Sequence, residues 1–384
     1  MDNPTTGCLL VVDDDKVNRL MLGHYLVQQG HAVSYAENGR QALEILRSQP
    51  VEMVLLDIEM PEVNGYQVLE QVTADPQLRE IPIIVTSALE EMDSVVKCIE
   101  MGAEDYLTKP VNKVLLQARL NASLEKKRLR DQRTRLLLRL EREMEIARKT
   151  QQSILPVNLP EHPGYDFGAL MIPARAVGGD FYEFISLDRD HLGVVIGDVA
   201  DKGLPAALIM ALTYSLVSVD ALQADSPVDA LRTVNRHLLS VNASGMFVTL
   251  LYGVLDYSTG IFQYARAGHL PPVVLEPHGQ PVDIPVDRGQ PLGLFEDIEL
   301  DEQEFTIPPG GMALLFSDGL SEASDSQGDE FGDQRMSEVL SATQEEPSQA
   351  ICEQLWLAVQ TYCGDSTLQD DFTTVVLKRF DAPA

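Results

Sequence analysis

Cysteine is scarce in this chain of 384 residues, and its spacing excludes two structural classes. The four cysteines, Cys8, Cys98, Cys352 and Cys363, form no CxxC pair. Neither a disulfide framework nor a zinc knuckle is therefore indicated, because both depend on regular cysteine spacing. We expect four free thiols.

Long apolar runs are also missing. No stretch reaches the roughly 18 uninterrupted apolar residues of a membrane-spanning helix. The N-terminus carries no basic region followed by an apolar run, which a secretion signal requires. The sequence therefore predicts a cytoplasmic protein without a membrane partner.

Positively charged residues are few: the chain has 29 Lys and Arg against 59 Asp and Glu, and its formal net charge is −30. Nucleic acid is consequently an improbable partner, because attraction to phosphate normally drives its binding. One island is basic: residues 119–149 hold 11 Lys and Arg against five Asp and Glu. No aromatic residues interleave with these charges, which favours a solvated coiled-coil face over a nucleic-acid arm. Docking against the protein's own acidic domains is a third possibility.

Glycine and proline are absent from residues 111–155, between Pro110 and Pro156. Apolar residues recur there at helical spacing, and the stripe weakens only at Lys127. Its members are Leu116, Leu120, Leu124, Leu136, Leu140, Met144, Ala147 and Ile154. So long a pattern predicts a coiled coil, a helix pair or a connecting rod, and a homodimer formed through it.

Before this helix, short apolar runs alternate with amphipathic stretches in five β-α units, which predicts α/β architecture with a doubly wound, five-stranded parallel sheet. Polar residues follow its strands. Asp13 and Asp14 come after the first strand, Asp57 ends the third, Ser87 ends the fourth and Lys109 follows the fifth. Three converging carboxylates would repel one another without a divalent cation, and their hard oxygen atoms suit Mg²⁺.

This segment resembles a response-regulator receiver domain over residues 7–125. The matching stretches are residues 11–14 (VVDD), 56–61 (LDIEMP), 86–88 (TSA) and 102–110 (GAEDYLTKP), with Gly65. The bond between Lys109 and Pro110 is a candidate for the cis form.

The receiver resemblance implies a role for each polar residue. Asp57 would accept a phosphoryl group from a sensor histidine kinase or a phosphotransfer protein, and Asp13, Asp14 and Asp57 would hold Mg²⁺. Lys109 and Ser87 would contact the phosphoryl oxygens. Tyr106 would be the aromatic residue that rotates in the switch.

After Pro156 the pattern becomes rich in strands, with helices between them, and predicts an α+β sandwich with helices outside two sheets. Four acidic positions border apolar strands beside glycine or a second acid. They are Gly179-Asp180, Gly197-Asp198, Asp318-Gly319 and Asp370-Asp371. Glycine allows a close backbone approach or a sharp turn, which metal sites often need.

Residues 143–380 resemble the bacterial branch of the PPM-type serine/threonine phosphatases, which act in stress responses and sporulation. The matching stretches are residues 177–184 (VGGDFYEF), 197–207 (GDVADKGLPAA), 246–249 (MFVT), 267–272 (AGHLPP), 291–293 (PLG), 317–323 (SDGLSEA) and 370–373 (DDFT).

The phosphatase resemblance implies a site for two Mn²⁺ or Mg²⁺ ions. Asp198 would bridge the ions with help from the Val199 carbonyl. Asp318 and Asp370 would complete the coordination of one ion, and Asp180 would complete that of the other. Such a pair activates water for in-line attack on phosphorus and needs no phosphoenzyme. The substrate class implied is a phosphorylated anti-anti-sigma-type protein.

Three further residues depart from the family pattern or stay ambiguous. Glu183 stands where the family usually has Asp, behind the metal ligands. His269 is interpreted as structural rather than as a base. Arg175 is equally compatible with orienting phosphate and with an ordinary surface position.

We therefore predict a receiver domain in residues 1–125, a helical coiled-coil linker in 126–156 and a PPM-type phosphatase domain in 157–384. Phosphorylation of Asp57 would control a metal-dependent protein serine/threonine phosphatase. The alternative is an adaptor whose phosphatase-like domain binds a sigma-factor regulator without turnover. All four phosphatase carboxylates are retained in the sequence, which favours the enzyme.

Overall fold

A computed structural model describes residues 6–380, apart from 89–91, 157, 242–244, 278, 288 and 365–367; the side chains of residue 88 and residues 92–95 are also outside the description. The chain divides into two compact units, Met1–Leu140 and Glu141–Ala384. Within the described residues, no helix is both long enough and apolar enough to cross a membrane.

The first unit is a five-stranded parallel sheet with the order β2-β1-β3-β4-β5, as predicted. Its strands are β1 (Cys8–Val12), β2 (Ala32–Ala36), β3 (Met53–Asp57), β4 (Ile83–Ala88) and β5 (Asp105–Lys109). The helices between them are α1 (Lys16–Gln28), α2 (Gly39–Ser48), α3 (Gly65–Ala74) and α4 (Met92–Glu100). Strand order reverses between β1 and β3, where their carboxyl ends form the edge that carries polar side chains.

Local sequence explains where these helices begin. Asp15 caps α1 by accepting hydrogen bonds from the backbone amides of Val17 and Asn18. Asn64 and Gln67 form a reciprocal capping box at α3. Both arrangements satisfy amides that have no partner within the helix, so each helix begins close to the end of the preceding strand.

Helix α5 (Lys113–Gln152) is a single helix of 40 residues, and the boundary between the two units falls within it. Leu116, Leu120 and Leu124 are buried in the core of the first unit. Beyond them the apolar side chains are exposed, including Leu136 (58 % exposed) and Leu140 (45 %). The helix continues through Lys127 without interruption, so the weak point of the apolar stripe is not a break in the backbone.

The second unit contains two five-stranded sheets, with orders β13-β10-β9-β8-β7 and β12-β11-β14-β15-β6. The strands are β6 (Tyr165–Ile172), β7 (Phe181–Ser186), β8 (His191–Val199), β9 (Val248–Asp256), β10 (Ile261–Ala267), β11 (Val273–Leu275), β12 (Pro281–Val282), β13 (Asp301–Thr306), β14 (Met312–Phe316) and β15 (Phe372–Arg379). All the pairings in both sheets are antiparallel.

The helices of the second unit lie outside the two sheets, which confirms the predicted sandwich. They are α6 (Leu204–Asp220), α7 (Pro227–Val241), α8 (Asp318–Ser321), α9 (Gly332–Thr343) and α10 (Ser348–Cys363). Side chains of α6 and α7 pack on the first sheet, and those of α9 and α10 pack on the second. A separate apolar layer, including Phe262, Tyr264 and Val375, fills the space between the sheets.

Three elements were not predicted from the sequence: β12, β13 and α8. Half of the residues of strand β13 (DEQEFT) are acidic, and the strand is paired along its length with β10. Its first residue, Asp301, is buried and accepts hydrogen bonds from Arg266 Nε (3.0 Å) and Nη2 (2.6 Å). A tertiary ion pair therefore holds a strand whose own composition indicates a loop.

Candidate functional site

The receiver carboxylates meet at the carboxyl ends of β1 and β3. Asp13 and Asp14 directly follow β1, and Asp57 is the last residue of β3. One oxygen atom from each of the three lies within 4.8 Å of the others. Asp13 and Asp57 are buried while Asp14 is exposed, so the group opens to solvent on one side.

Lys109 supplies one positive charge to these three acids. Its Nζ lies 2.6 Å from Asp57 Oδ2 and 3.1 Å from Asp13 Oδ2. Burial raises the pKa of Asp57, opposed by the Lys109 hydrogen bond and reinforced by the charges of Asp13 and Asp14. Burial lowers the pKa of Lys109, but its contacts with Asp57 and Asp13 outweigh that and raise it. The bond between Lys109 and Pro110 is cis, as anticipated.

Ser87 and Tyr106 lie on the two strands beyond Asp57. Ser87 is buried, and its Oγ makes no hydrogen bond to any described residue. Tyr106 is partly buried, and the Arg119 guanidinium of α5 lies 5.2 Å from the centre of its ring. Arg119 also forms an ion pair with Asp105. This contact between the predicted switch residue and α5 was not foreseen, because nothing local in the sequence pairs Arg119 with Tyr106.

The phosphatase acids also stand at strand ends. Asp180 directly precedes β7, and Asp198 and Val199 end β8. Asp318 begins α8 just after β14, and Asp370 lies two residues before β15. In the described part of the chain these acids do not form a set of three with oxygens all within 4.8 Å of one another. A pair of ions divides its ligands between two centres, so mutual contact among all of them is not required.

Electrostatic coupling ties the four phosphatase acids together. Burial, together with the charge of Asp318, raises the pKa of Asp198 to about 7. Burial, together with the charge of Asp370, likewise raises the pKa of Asp318 to about 6. Asp180 is fully buried, which raises its pKa well above the usual range, and the charge of Asp198 acts in the same direction. The charges of Asp198, Asp318 and Asp370 therefore make ionisation of neighbouring acids harder, whereas the hydrogen bond from Asp180 favours the charged form of Asp198.

Asp371 was named in the sequence only as the neighbour of Asp370, yet it organises the loop before β7. Its carboxylate accepts hydrogen bonds from the backbone amides of Gly179 (2.6 Å), Ala174 (2.8 Å) and Asp180 (3.4 Å). A Cβ at Gly178 would lie 2.4 Å from Asp371 Oδ2, so only glycine fits there. The glycine pair before Asp180 was the available signal for a close backbone approach.

Two more glycines bring backbone next to the acids. A Cβ at Gly319 would lie 2.1 Å from the Asp371 carbonyl, so a side chain there would displace the turn that carries Asp318. A Cβ at Gly179 would lie 2.9 Å from the Val199 carbonyl. Because Gly179 has no side chain, the Val199 carbonyl, which we predicted as a metal ligand, is not crowded by side-chain atoms at this position.

The three ambiguous residues have distinct surroundings. Glu183 accepts a hydrogen bond from Ser218 Oγ of α6 (2.6 Å), and burial raises its pKa. His269 is fully buried, which lowers its pKa to about 4, and its Nδ1 lies 2.9 Å from Thr249 Oγ1. A neutral buried imidazole supports the structural interpretation. Arg175 is exposed, with Nη1 3.9 Å from where a Cβ at Gly203 would lie.

Comparison with known families agrees with this arrangement. The family model described as Stage II sporulation protein E (SpoIIE) matches residues 188–380, half of the chain. The chain belongs to the SpoIIE family. The family model of the response regulator receiver domain matches residues 9–121, so a receiver precedes the SpoIIE region.

Two similar proteins extend the match beyond the family models. Phosphoserine phosphatase RsbU of Bacillus subtilis is 31 % identical over 241 residues, which cover 62 % of this chain and 70 % of RsbU. Protein IcfG of Synechocystis sp. is 31 % identical over 267 residues, which cover 62 % of this chain and only 41 % of IcfG. Among solved structures, the SiaA-PP2C domain of Pseudomonas aeruginosa has a TM-score of 0.56 at 23 % identity. That match covers 64 % of this chain and 99 % of the domain, and it shows a shared PP2C fold.

Phosphatases of the SpoIIE family are metal-dependent, and the donor set of this member fits hard divalent cations. The four acids offer carboxylate oxygens, and Val199 offers a carbonyl oxygen, which are the donors that Mg²⁺ and Mn²⁺ prefer. Burial and the charges of neighbouring acids both raise the pKa values of Asp198 and Asp318, so repulsion between carboxylates adds to the cost of ionising them. A cation would remove that repulsion.

This repulsion predicts how the stability of the chelated protein depends on pH. The folded-state pKa values of Asp198 (about 7) and Asp318 (about 6) exceed the ordinary value of 3.8. Folding therefore favours the protonated acids, so their favourable contribution is complete below about pH 4 and is lost as pH rises through 6 to 7. We expect Asp198→Asn to raise the Tm in EDTA at pH 8 by about 2–4 °C, equivalent to roughly 1 kcal/mol, and to raise it by less than half as much at pH 5.

The measurement is thermal unfolding followed by the fluorescence of Trp356, which lies in the second unit and is the single tryptophan of the chain. Asp225→Asn, at an exposed position, is the matched control and should leave the Tm unchanged at both pH values. A Tm that falls in Asp198→Asn at pH 8 would contradict the electrostatic explanation.

Proposed function

We propose that this protein is a two-component output enzyme in which phosphorylation of Asp57 controls a protein serine/threonine phosphatase. The phosphoryl donor would be a sensor histidine kinase or a phosphotransfer protein. The substrate would be a small anti-anti-sigma-type phosphoprotein, whose dephosphorylation releases a sigma factor by partner switching. The similarity to RsbU, a phosphoserine phosphatase, supports this reaction class, and the receiver supports control by a phosphodonor.

In the receiver, Asp13, Asp14 and Asp57 would hold Mg²⁺. Asp57 would attack the incoming phosphoryl group through a carboxylate oxygen, and Lys109, already 2.6 Å from that carboxylate, would offset the charge that accumulates. Ser87 carries an unused hydroxyl at the end of the neighbouring strand, which suits it to donate to a phosphoryl oxygen. Tyr106 would then respond to the movement of Ser87.

In the phosphatase, Asp198 would lie between two divalent cations, with Asp180 holding one and Asp318 and Asp370 the other. Bound Mn²⁺ or Mg²⁺ would supply Lewis acidity toward the phosphoryl oxygens and an activated water. The chain's own contribution is to hold Asp180 in place, through the 2.6 Å hydrogen bond that Thr373 Oγ1 donates to it. Asp371 fixes the backbone of the same loop.

The observation that carries the proposal is a set of four carboxylates at strand ends in a member of the SpoIIE family, three of which, Asp180, Asp198 and Asp318, have raised pKa values. Acids held so close together lower the stability of the folded protein, and such a cluster is difficult to explain in a chain that only binds a partner. The non-catalytic adaptor nevertheless needs its own test, because a phosphatase-like surface can bind a sigma-factor regulator without turnover.

Release of phosphate from a phosphoserine protein in the presence of Mn²⁺ tests the enzyme directly. We expect Asp198→Ala to lower the rate by at least about 100-fold, because this acid would contact both cations. Asp225→Ala, an exposed acid in the same unit, is the control and should retain the wild-type rate. No turnover by the wild-type chain, with Mn²⁺ binding intact, would favour the adaptor.

Control by the receiver can be measured in the same assay with beryllofluoride as the phosphoryl mimic on Asp57. We expect the mimic to activate the phosphatase by at least about fivefold, the lower end of typical coupling between two sites. Asp57→Asn should abolish the response because beryllofluoride needs the carboxylate. An unchanged rate in the wild-type chain would contradict regulation through Asp57.

We also propose that two copies of the chain pair through α5. The helix carries exposed apolar side chains at Leu129, Leu136, Leu137, Leu138, Leu140 and Ile146. So many leucines on one helix would be unfavourable in water unless a second apolar surface covered them, and a second copy of the same helix offers one.

Sedimentation velocity tests this pairing. Replacement of Leu136 and Leu140 together by Gln should weaken the dimer by at least about tenfold, since two large apolar contacts are lost while helix propensity is kept. Arg133→Gln with Arg142→Gln is the control, with two exposed cations replaced on the same helix. A wild-type chain that sediments as a monomer at micromolar concentration would contradict the proposal.

A further inference from the structure

Lys202 makes a contact that the proposed function leaves unexplained. It lies in the loop between β8 and α6, four residues after Asp198. Its Nζ is 2.8 Å from Asp370 Oδ2, and it also donates a hydrogen bond to the carbonyl of Gln369. One ammonium group therefore engages a predicted metal ligand and the backbone just before it.

The loop holds Lys202 in a defined position. Asp201 and Gly203, on either side of it, have φ values of 80° and 84°. A positive φ at a non-glycine residue such as Asp201 is uncommon and persists only where surrounding contacts require it. The Lys202 amide donates to Asp201 Oδ1 at 2.8 Å, which closes the turn. The backbone thus presents the lysine side chain at the start of α6, beside the acids.

The charges around Asp370 make this contact significant. Four carboxylates stand at strand ends in this site, and Lys202 brings one positive charge to them through its contact with Asp370. The ammonium contact uses a carboxylate oxygen that a metal ion would also need. A divalent cation bound to Asp370 would repel the ammonium, so the two cannot share Oδ2 at close range.

We propose that Lys202 is a positioning residue that competes with the divalent cation for Asp370 and thereby sets the affinity of that subsite. This inference rests on the proposed function, in which Asp370 is a metal ligand. When the cation concentration is low, Lys202 holds Asp370 and the Gln369 backbone in place. When the cation binds, Lys202 leaves Asp370, so occupancy of the subsite requires a higher concentration than the carboxylates alone would need.

Binding of Mn²⁺ to the full chain tests the proposal without any turnover. Free Mn²⁺ is measured by electron paramagnetic resonance during titration, and every protein carries Asp13→Asn and Asp57→Asn to remove the receiver carboxylates. We expect Lys202→Met to tighten the weaker Mn²⁺ site by roughly fivefold, because a partly exposed ion pair and the repulsion between like charges are both removed. Lys202→Arg keeps the charge and should stay within about twofold of the parent protein.

A second pair of proteins separates competition at Asp370 from a general effect of charge. In an Asp370→Asn background, Lys202→Met should change Mn²⁺ affinity by less than twofold, because the competing contact has already gone. An unchanged or weaker affinity in Lys202→Met alone would overturn the proposal. Equal tightening in both backgrounds would also overturn it, since the effect would then not pass through Asp370.

The same titration distinguishes this inference from the proposed function. If Asp370→Asn by itself leaves the number and affinity of the Mn²⁺ sites unchanged, Asp370 is not a ligand and the metal assignment fails. If Asp370→Asn removes one site but Lys202→Met has no effect, the metal assignment survives and the competition is refuted. Thermal unfolding of each variant confirms that the second unit is folded.

Discussion

Repulsion between like charges at strand ends is the constraint on which both units depend. In each unit, carboxylates converge at sheet edges and one lysine opposes them: Lys109 against the receiver acids and Lys202 at Asp370. One ammonium cannot neutralise three or four acids, and burial weakens the help that water can give. The sheets must therefore be stable enough to hold acids whose folded environment disfavours their charged form.

At Asp371, backbone amides compensate the negative charge of the carboxylate, so no cation is needed there. Asp371 stands next to Asp370 in sequence, yet its carboxylate is held by three backbone amides. Glycines at 178 and 319 make this possible, because a Cβ at either position would collide with Asp371. Neighbouring aspartates consequently differ in their contacts: backbone amides hold Asp371, whereas Asp370 contacts the Lys202 ammonium.

The architecture of both units could be predicted from sequence because its signals are local. Alternating apolar and amphipathic stretches predicted the parallel sheet, and a strand-rich pattern interrupted by helices predicted the sandwich. The contacts that were missed join distant parts of the chain. Asp371 and Gly179 are 192 residues apart, and Lys202 and Gln369 are 167 apart. Strand β13 was missed for the same reason, since its acidic residues become a strand only when Asp301 meets Arg266, 35 residues away.

Helix α5 shows why periodicity alone could not say what an apolar stripe contacts. Leucines at 116, 120 and 124 are buried in the first unit, whereas those at 136 and 140 are exposed, although both sets have the same spacing. The helix lacks glycine and proline, and it continues through Lys127, whose Nζ pairs with Asp131 one turn later at 2.9 Å. Bending the helix at Lys127 would break backbone hydrogen bonds, and no glycine or proline is present there to favour a kink. The exposed leucines beyond Lys127 therefore lie on the same continuous helix as the leucines buried in the first unit, and only what surrounds them differs.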